Sequence, residues 1–203
     1  MNYGELKTHF EALLNRSDIT SALTTTFVDQ GIARVQRQLR TPLNENKTTY
    51  NITGSTSSVT LPTDFLEIIS LYQDKYELQR IPMSLYREYQ KTTAQGIPRY
   101  FAREQQNLLL HPTPSTGTLT LYYYAEFPAL SANTDTNNLT TVCPDLAIYA
   151  ALTYAGDYYL DERAPIFEQK YNQFLSEIQE QSNDQELNGS INAIQPAYNL
   201  GDY

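Results

Sequence analysis

Few side chains in this sequence are equipped for chemistry. One thiol, Cys143, and two imidazoles, His9 and His111, are all that its 203 residues offer as soft or nitrogen ligands. Three such groups make neither a disulfide framework nor a structural zinc site built within the chain. Cys143 precedes Pro144 and an apolar stretch, which suits a buried small hydrophobe better than a nucleophile. His111 ends the run Leu108-Leu109-Leu110 and His9 lies in helix-forming sequence, each without a ligand partner at metal-binding spacing. Asp161-Glu162 beside Arg163 imitates an acid/base couple, but adjacent acids at a helix start more often cap it and complement its dipole. Phosphate-cradling Gly-rich loops, His-Glu-x-x-His and Gly-x-Ser-x-Gly are all missing. The sequence therefore assigns no catalytic, cofactor-binding or metal-binding residues, and no cofactor is expected.

Two binding signals remain. Arg34, Arg37 and Arg40 recur at helical spacing, a face that would contact phosphates, remain solvated, or pair with the acids of another subunit. Tyr122-Tyr123-Tyr124 lies in strand-like sequence, which puts Tyr122 and Tyr124 on one face and Tyr123 on the other. Seventeen Tyr with no Trp suits surfaces that contact other protein or stack on sugars.

The elements that must position these groups follow from periodicity. Residues 3–15 read as a short helix with Phe10, Leu13 and Leu14 on its apolar side. Ser17-Asp18 offers an N-cap for a second helix at about 20–39, where Val28, Ile32, Val35 and Leu39 share a stripe opposite the arginines. From 47 to about 126 the period changes from 3.6 to 2. Tyr50 and Ile52, then Val59 and Leu61, alternate with polar neighbours across Thr53-Gly54-Ser55-Thr56-Ser57-Ser58, so this stretch predicts a hairpin. Further strands are expected at 66–72, 76–80, 99–103, 107–111 and 117–126, with a short helix over 82–90.

The helical period returns at Pro144. In a helix over 144–160, Leu146, Ile148, Tyr149, Leu152, Tyr154 and Tyr158 point nearly all round, which demands burial by its own domain or by a neighbouring subunit. The next helix, 163–181, is amphipathic, with Phe167, Tyr171, Phe174, Leu175 and Ile178 on one side and Glu177 and Glu180 facing away. The fold class is α+β: a helical bundle from the N- and C-terminal helices with an inserted antiparallel β-rich lobe at 47–126, in one domain of residues 1–181. Residues 182–203 carry little apolar mass and no clear period, so ordering them requires a partner chain or a neighbouring subunit. Ile191, Ile194, Pro196, Tyr198, Leu200 and Tyr203 are the candidate anchors of that docking tail.

Charge is unevenly placed. Residues 1–125 hold eleven acids against twelve bases and residues 126–203 hold twelve against two, which together give the net charge of −9. Attraction to phosphate backbones is not expected of such a chain. No apolar run approaches the roughly 18 residues that span a bilayer, and Met1-Asn2-Tyr3-Gly4-Glu5 is not a signal peptide, so a soluble cytoplasmic product is expected.

A series of short motifs points further. Leu61-Pro62-Thr63-Asp64-Phe65-Leu66-Glu67 resembles a segment of the head-to-tail adaptor (connector) proteins of tailed bacteriophages. Gly96-Ile97-Pro98-Arg99-Tyr100 is similar to the family's Gly-x-Pro-x-Tyr, and Leu108, Leu110, Pro112 and Pro114 resemble its strand ending. Tyr122-Tyr123-Tyr124 leading to Pro128-Ala129-Leu130-Ser131, then Asn137-Asn138-Leu139 and Pro144-Asp145-Leu146, follow in the family's order. Tyr158, Asp161-Glu162-Arg163-Ala164 and Tyr171 match the body of the last helices, so the resemblance covers about 60–175.

The resemblance implies a structural virion protein, not an enzyme: a ring, usually of about twelve copies, beneath the portal protein in the neck between capsid and tail. Such a ring, made in the host cytoplasm, extends the DNA channel and gives tail or nozzle proteins a platform. Double-stranded DNA would pass without specific binding, past channel-facing acids such as Asp161, Glu162, Glu177 and Glu180. Arg34, Arg37, Arg40, Tyr149, Tyr154 and Tyr158 become candidate subunit-interface residues, and the tail would reach the portal or an adjacent copy. Two other readings belong beside this one. They are a tyrosine-rich carbohydrate- or host-binding tail module, and a carboxylate-based cell-wall hydrolase.

Overall fold

The computed structural model describes residues 1–92 and 94–187, in an α+β arrangement of six helices and two four-stranded sheets. The anchors Ile191, Ile194, Pro196, Tyr198, Leu200 and Tyr203 lie outside the described residues.

The first helix, α1 (Tyr3–Leu14), starts in a capping box: the Glu5 N–H donates to Asn2 Oδ1 at 2.8 Å, and the Asn2 N–H donates to Glu5 Oε2 at 2.9 Å. It ends at Asn15, in the left-handed conformation that Asn tolerates. The second helix, α2 (Ser21–Gln38), is capped by Thr20 rather than by Ser17-Asp18. Asp18 is held instead by Arg16, at 2.8 Å. A short 3-10 turn, Pro42–Asn44, leads the chain out of the bundle.

The chain then builds the lobe from β1 (Glu45–Thr53), β2 (Ser58–Thr60), β3 (Phe65–Gln73), β4 (Tyr76–Glu77), β5 (Gln79–Arg80), α3 (Met83–Tyr89), β6 (Tyr100–Glu104), β7 (Asn107–His111) and β8 (Thr116–Ala125). One sheet has the order β1-β8-β3-β4 and the other β2-β7-β6-β5. The expected hairpin over 47–61 does not form. β1 pairs with β8 along its whole length and β2 pairs with β7, so the Gly-Ser link carries the chain from one sheet to the other. After returning to the first sheet with β3, the chain crosses again at Leu78, which divides the expected strand 76–80 between β4 in the first sheet and β5, parallel to β6, in the second.

Alternation along the strands makes the two sheets share a core. Leu108 and Leu110 of β7 join Leu71, Phe101, Leu119 and Leu121 in it, while Leu109 turns the other way, toward Tyr86 and Met83 of α3. That helix covers the outer face of the second sheet. Among the described residues no helix covers the outer face of the first, and Ile69 and Tyr122 stand there 43% and 40% exposed.

The chain returns through α4 (Asn138–Val142), α5 (Pro144–Tyr159) and α6 (Ala164–Leu187). α5 is buried on most sides by its own domain, against α1, α2, α4 and α6. Its small residues permit this: a Cβ on Gly31 of α2 would lie 2.6 Å from the Ala151 backbone nitrogen. α6 runs on to Leu187, past the expected stop at 181.

The segment Leu61–Glu67 shows what its residues do. Asp64 accepts the Tyr123 hydroxyl at 3.0 Å, Phe65 stacks on the Tyr123 ring at 5.8 Å, and Glu67 pairs with Arg40 at 3.0 Å. The segment thus pins β3 to β8 and ties the lobe to the end of α2. Farther on, Asn137 caps α4 and its amide donates to the Pro128 carbonyl at 3.0 Å, while Asn138 reaches the Leu43 carbonyl at 3.0 Å.

Candidate assembly surfaces

Arg34 and Arg37 of α2 and Arg40, two residues past its end, meet three different fates. Arg34 is not a solvated cation: its guanidinium grips Glu168 with two bonds of 2.6 and 2.8 Å, donates to Thr153 Oγ1 at 2.9 Å, and lies 4.1 Å from the Tyr171 ring centroid. The pair holds the Glu168 carboxyl below its usual range. Tyr171 in turn donates its hydroxyl to Gln38, which completes a polar clamp of α2, α5 and α6. Arg40 is drawn to Glu67, and Arg37 is exposed, with the Tyr154 hydroxyl at 3.3 Å.

The three candidate interface tyrosines of α5, Tyr149, Tyr154 and Tyr158, also separate. Tyr149 and Tyr154 are half-buried against their own bundle, and the Tyr149 hydroxyl accepts from Lys170 at 3.0 Å. Tyr158 is 60% exposed, its ring 5.5 Å from that of Phe27. Leu160 follows at 90% exposure, in a left-handed cap conformation.

The acids do not converge on a reaction centre. Arg163 bonds Asp161 at 2.7 Å, pulls its carboxyl down to about 2, and also donates to the Leu14 carbonyl at 2.8 Å. This arrangement locks the α5–α6 turn against the end of α1. Glu162 is exposed at that turn, whereas Glu177 and Glu180 lie more than twenty ångströms farther along α6, at about 1.5 Å per residue. There they accept from Gln173 and Ser176, at 2.8 and 3.1 Å. Glu168 shares a cleft of about 310 Å³ with Asp157, but its lowered pKa is the reverse of what a general acid needs. Burial raises the Cys143 thiol to about 12, with Asp145 adding to the shift. Among the described residues no group of three His, Cys, Asp or Glu is placed to hold a metal ion, and no helix is long and apolar enough to cross a membrane.

A shallow groove of about 680 Å³ lies on the outer face of the first sheet, lined by Lys47, Ile69, Tyr72, Asp74 and Tyr122 among others. Tyr72 and Tyr122 stand at 90° to each other, 6.0 Å apart, so they do not form the flat platform on which a sugar ring stacks. Tyr123 points inward, as alternation predicts, and burial and Asp64 raise its hydroxyl to about 12.

Sequence reasoning missed Glu168, Thr153 and Gln38, the partners that fix Arg34 and Tyr171. Arg34 and Glu168 are 134 positions apart, so no local spacing announces the pair. Gly31 was open to reading, since a lone Gly inside a helical pattern signals a close approach.

Two tightly cored lobes, polar groups engaged in holding helices together, and exposed Tyr, Ile and Leu side chains are what the described residues present. The chain belongs to the SU10 adaptor protein family, whose family model matches residues 1–194. It is thus a bacteriophage adaptor, as the motif series from 60 to 175 indicated. A comparison with curated proteins finds no match.

Proposed function

We propose that the chain forms a ring in the virion neck, with copies seated beneath the portal protein to extend the DNA channel and present a platform to tail proteins. The observation that carries this reading is the adaptor family match across residues 1–194. The acids concentrated after residue 126 support it, because a ring of about twelve copies would carry on the order of −100 charges and repel passing DNA. In this reading Arg37 and Tyr158 meet a neighbouring copy, while Arg34, Arg40, Tyr149 and Tyr154 act from inside by fixing the helices that present them. Asp161, Glu162, Glu177 and Glu180 border the channel, and residues 182–203 reach the portal or an adjacent copy.

Native mass spectrometry of the chain, alone and mixed with the portal ring of the same particle, tests the proposal. A complex of about twelve copies, alone or on the portal, is expected. A monomer that ignores the portal would overturn it.

A further inference from the structure

Two apolar cores lie on either side of a narrow junction. The bundle core and the core between the two sheets share no buried residue among those described. Ala125, the last residue of β8, belongs to the sheet core, and Phe127 already packs in the bundle. A single exposed residue, Glu126, makes that crossing, its N–H donating to the Asp64 carbonyl at 2.7 Å. The other crossing is as short. Leu43 packs on the bundle core, Asn44 is buried with its amide donating to the Leu39 carbonyl at 3.3 Å, and β1 begins at the exposed Glu45.

The two crossings are neighbours in the first sheet. Glu45 pairs with Tyr124, which pairs on its other side with Glu67 of β3. At this end of the sheet β1 and β8 continue covalently into the bundle, whereas β3 is tied to it by the Arg40–Glu67 pair at 3.0 Å. Arg40 is itself anchored, since its guanidinium also donates to the Gln36 and Leu39 carbonyls at 2.9 and 2.7 Å. Directly paired residues share a face of a sheet, so Glu67 lies with Tyr124 on the outer face, opposite the inward Tyr123. A pair on that face opposes tilting of the lobe toward the other. Its side chains are 29% and 59% exposed, the setting in which ion pairs are weak and screened by salt. Beside Glu126 a cavity of about 290 Å³, lined by Ile32, Gln36 and Phe127 among others, leaves room between the crossing and α2.

We propose that the β lobe pivots on the helical bundle about Glu45 and Glu126, and that the Arg40–Glu67 pair is a salt-sensitive latch on that pivot. Two crossings side by side act as a strap, which bends out of the plane of the sheet while the β1–β8 ladder stays intact. Such a pivot sets the angle between the surfaces of bundle and lobe without repacking either core. It is a property of the single chain and does not rest on the ring reading.

Pulsed electron resonance tests it, with spin labels on Ala12→Cys in α1 and Ser84→Cys in α3, both exposed positions. Cys143 is buried, which leaves these two as the reactive thiols. Labelled chain is diluted into an excess of unlabelled chain, so the distances read lie within one copy whether or not copies assemble. At about 0.01 M salt one distance should dominate, and a second should gain population about two- to five-fold at about 1 M salt. Glu67→Gln and Arg40→Gln should each give that gain at low salt, respond no further to added salt, and add nothing to each other when combined. A label pair within the lobe, Thr49→Cys with Ser84→Cys, should keep its distance throughout. One distance unchanged across all salts and variants would mean a fixed lobe, and one broad distribution in all of them would mean a hinge without this latch. Either result overturns the proposal, as would a shift in the pair within the lobe, which would mean that the lobe itself loosens.

Discussion

Arg34 ties the bundle's helices together, because one guanidinium joins Glu168, Thr153 and the face of Tyr171. Glu168→Gln keeps the shape and removes the charge, and should cost about 1–2 kcal/mol in urea unfolding near neutral pH, since the Glu168 side chain is 44% exposed. The pH dependence has a definite sign. Arg34 lowers the folded-state pKa of Glu168, so the pair's contribution is complete above the ordinary carboxylate value of about 4.3 and fades as pH falls through the lowered one. The difference between the native chain and Glu168→Gln should therefore be largest near neutrality and shrink at acid pH. A difference that grows on acidification would refute the assignment. Cys143 offers a second check at this scale. With its thiol raised to about 12, about one molecule in ten thousand is thiolate at pH 8, so a thiol reagent should find nothing in the native chain and one equivalent after unfolding. Rapid labelling of the folded chain would contradict the burial described here.

The crossing of α2 and α5 depends on a missing side chain. Gly31→Ala would drive a Cβ to 2.6 Å from the Ala151 nitrogen and 2.9 Å from its Cα, backbone atoms that cannot swing aside. Although Ala ordinarily favours helices, this substitution should destabilise the protein by about 1–3 kcal/mol in thermal or urea unfolding. A stabilised Gly31→Ala variant would show that the helices cross less tightly. At this scale the sequence was readable wherever the signal was local. The all-round apolar pattern of 144–160 announced a buried helix, and alternation in the Tyr122-Tyr123-Tyr124 run separated the buried Tyr123 from the exposed Tyr122. Failures came where pairing was distant. Gly54 and its serines look like a hairpin turn, yet β1 finds its partner more than sixty residues on, at β8. The turn chemistry was read correctly and the strand pairing was not, because a loop sequence carries no information about which sheet the next strand joins. Likewise the arginine stripe of α2 was visible, while the acid that holds Arg34 was hidden on a helix far along the chain.

At the scale of the whole molecule, the acidic balance is distributed by element, and that distribution sets the last prediction. Residues 126–203 hold twelve acids and two bases, and most of these acids lie on α5, α6 and the turn between them. Two of the acids, Glu168 and Asp161, are neutralised by Arg34 and Arg163, and the salt-bridge partners of the β lobe likewise cancel among themselves. What remains to act at a distance are exposed acids such as Glu162, Glu177 and Glu180. If they border the channel of the proposed ring, their work is to keep the phosphate backbone from adhering, a long-range effect that needs no contact geometry. Replacing all three with Lys takes the net charge of each copy from −9 to about −3 and reverses the local field. Assembled rings of the native chain should leave double-stranded DNA unretarded in a gel at about 0.1 M salt, within the reach of a Debye length of roughly 10 Å. Rings of the triple variant should retard it, and that binding should weaken steeply as salt rises, because it would come from counterion release alone. Equal behaviour of the two rings would place these acids away from the DNA path. Strong retention by the native ring would show that the channel grips DNA, and would remove the physical reason for the acidity of the C-terminal helices.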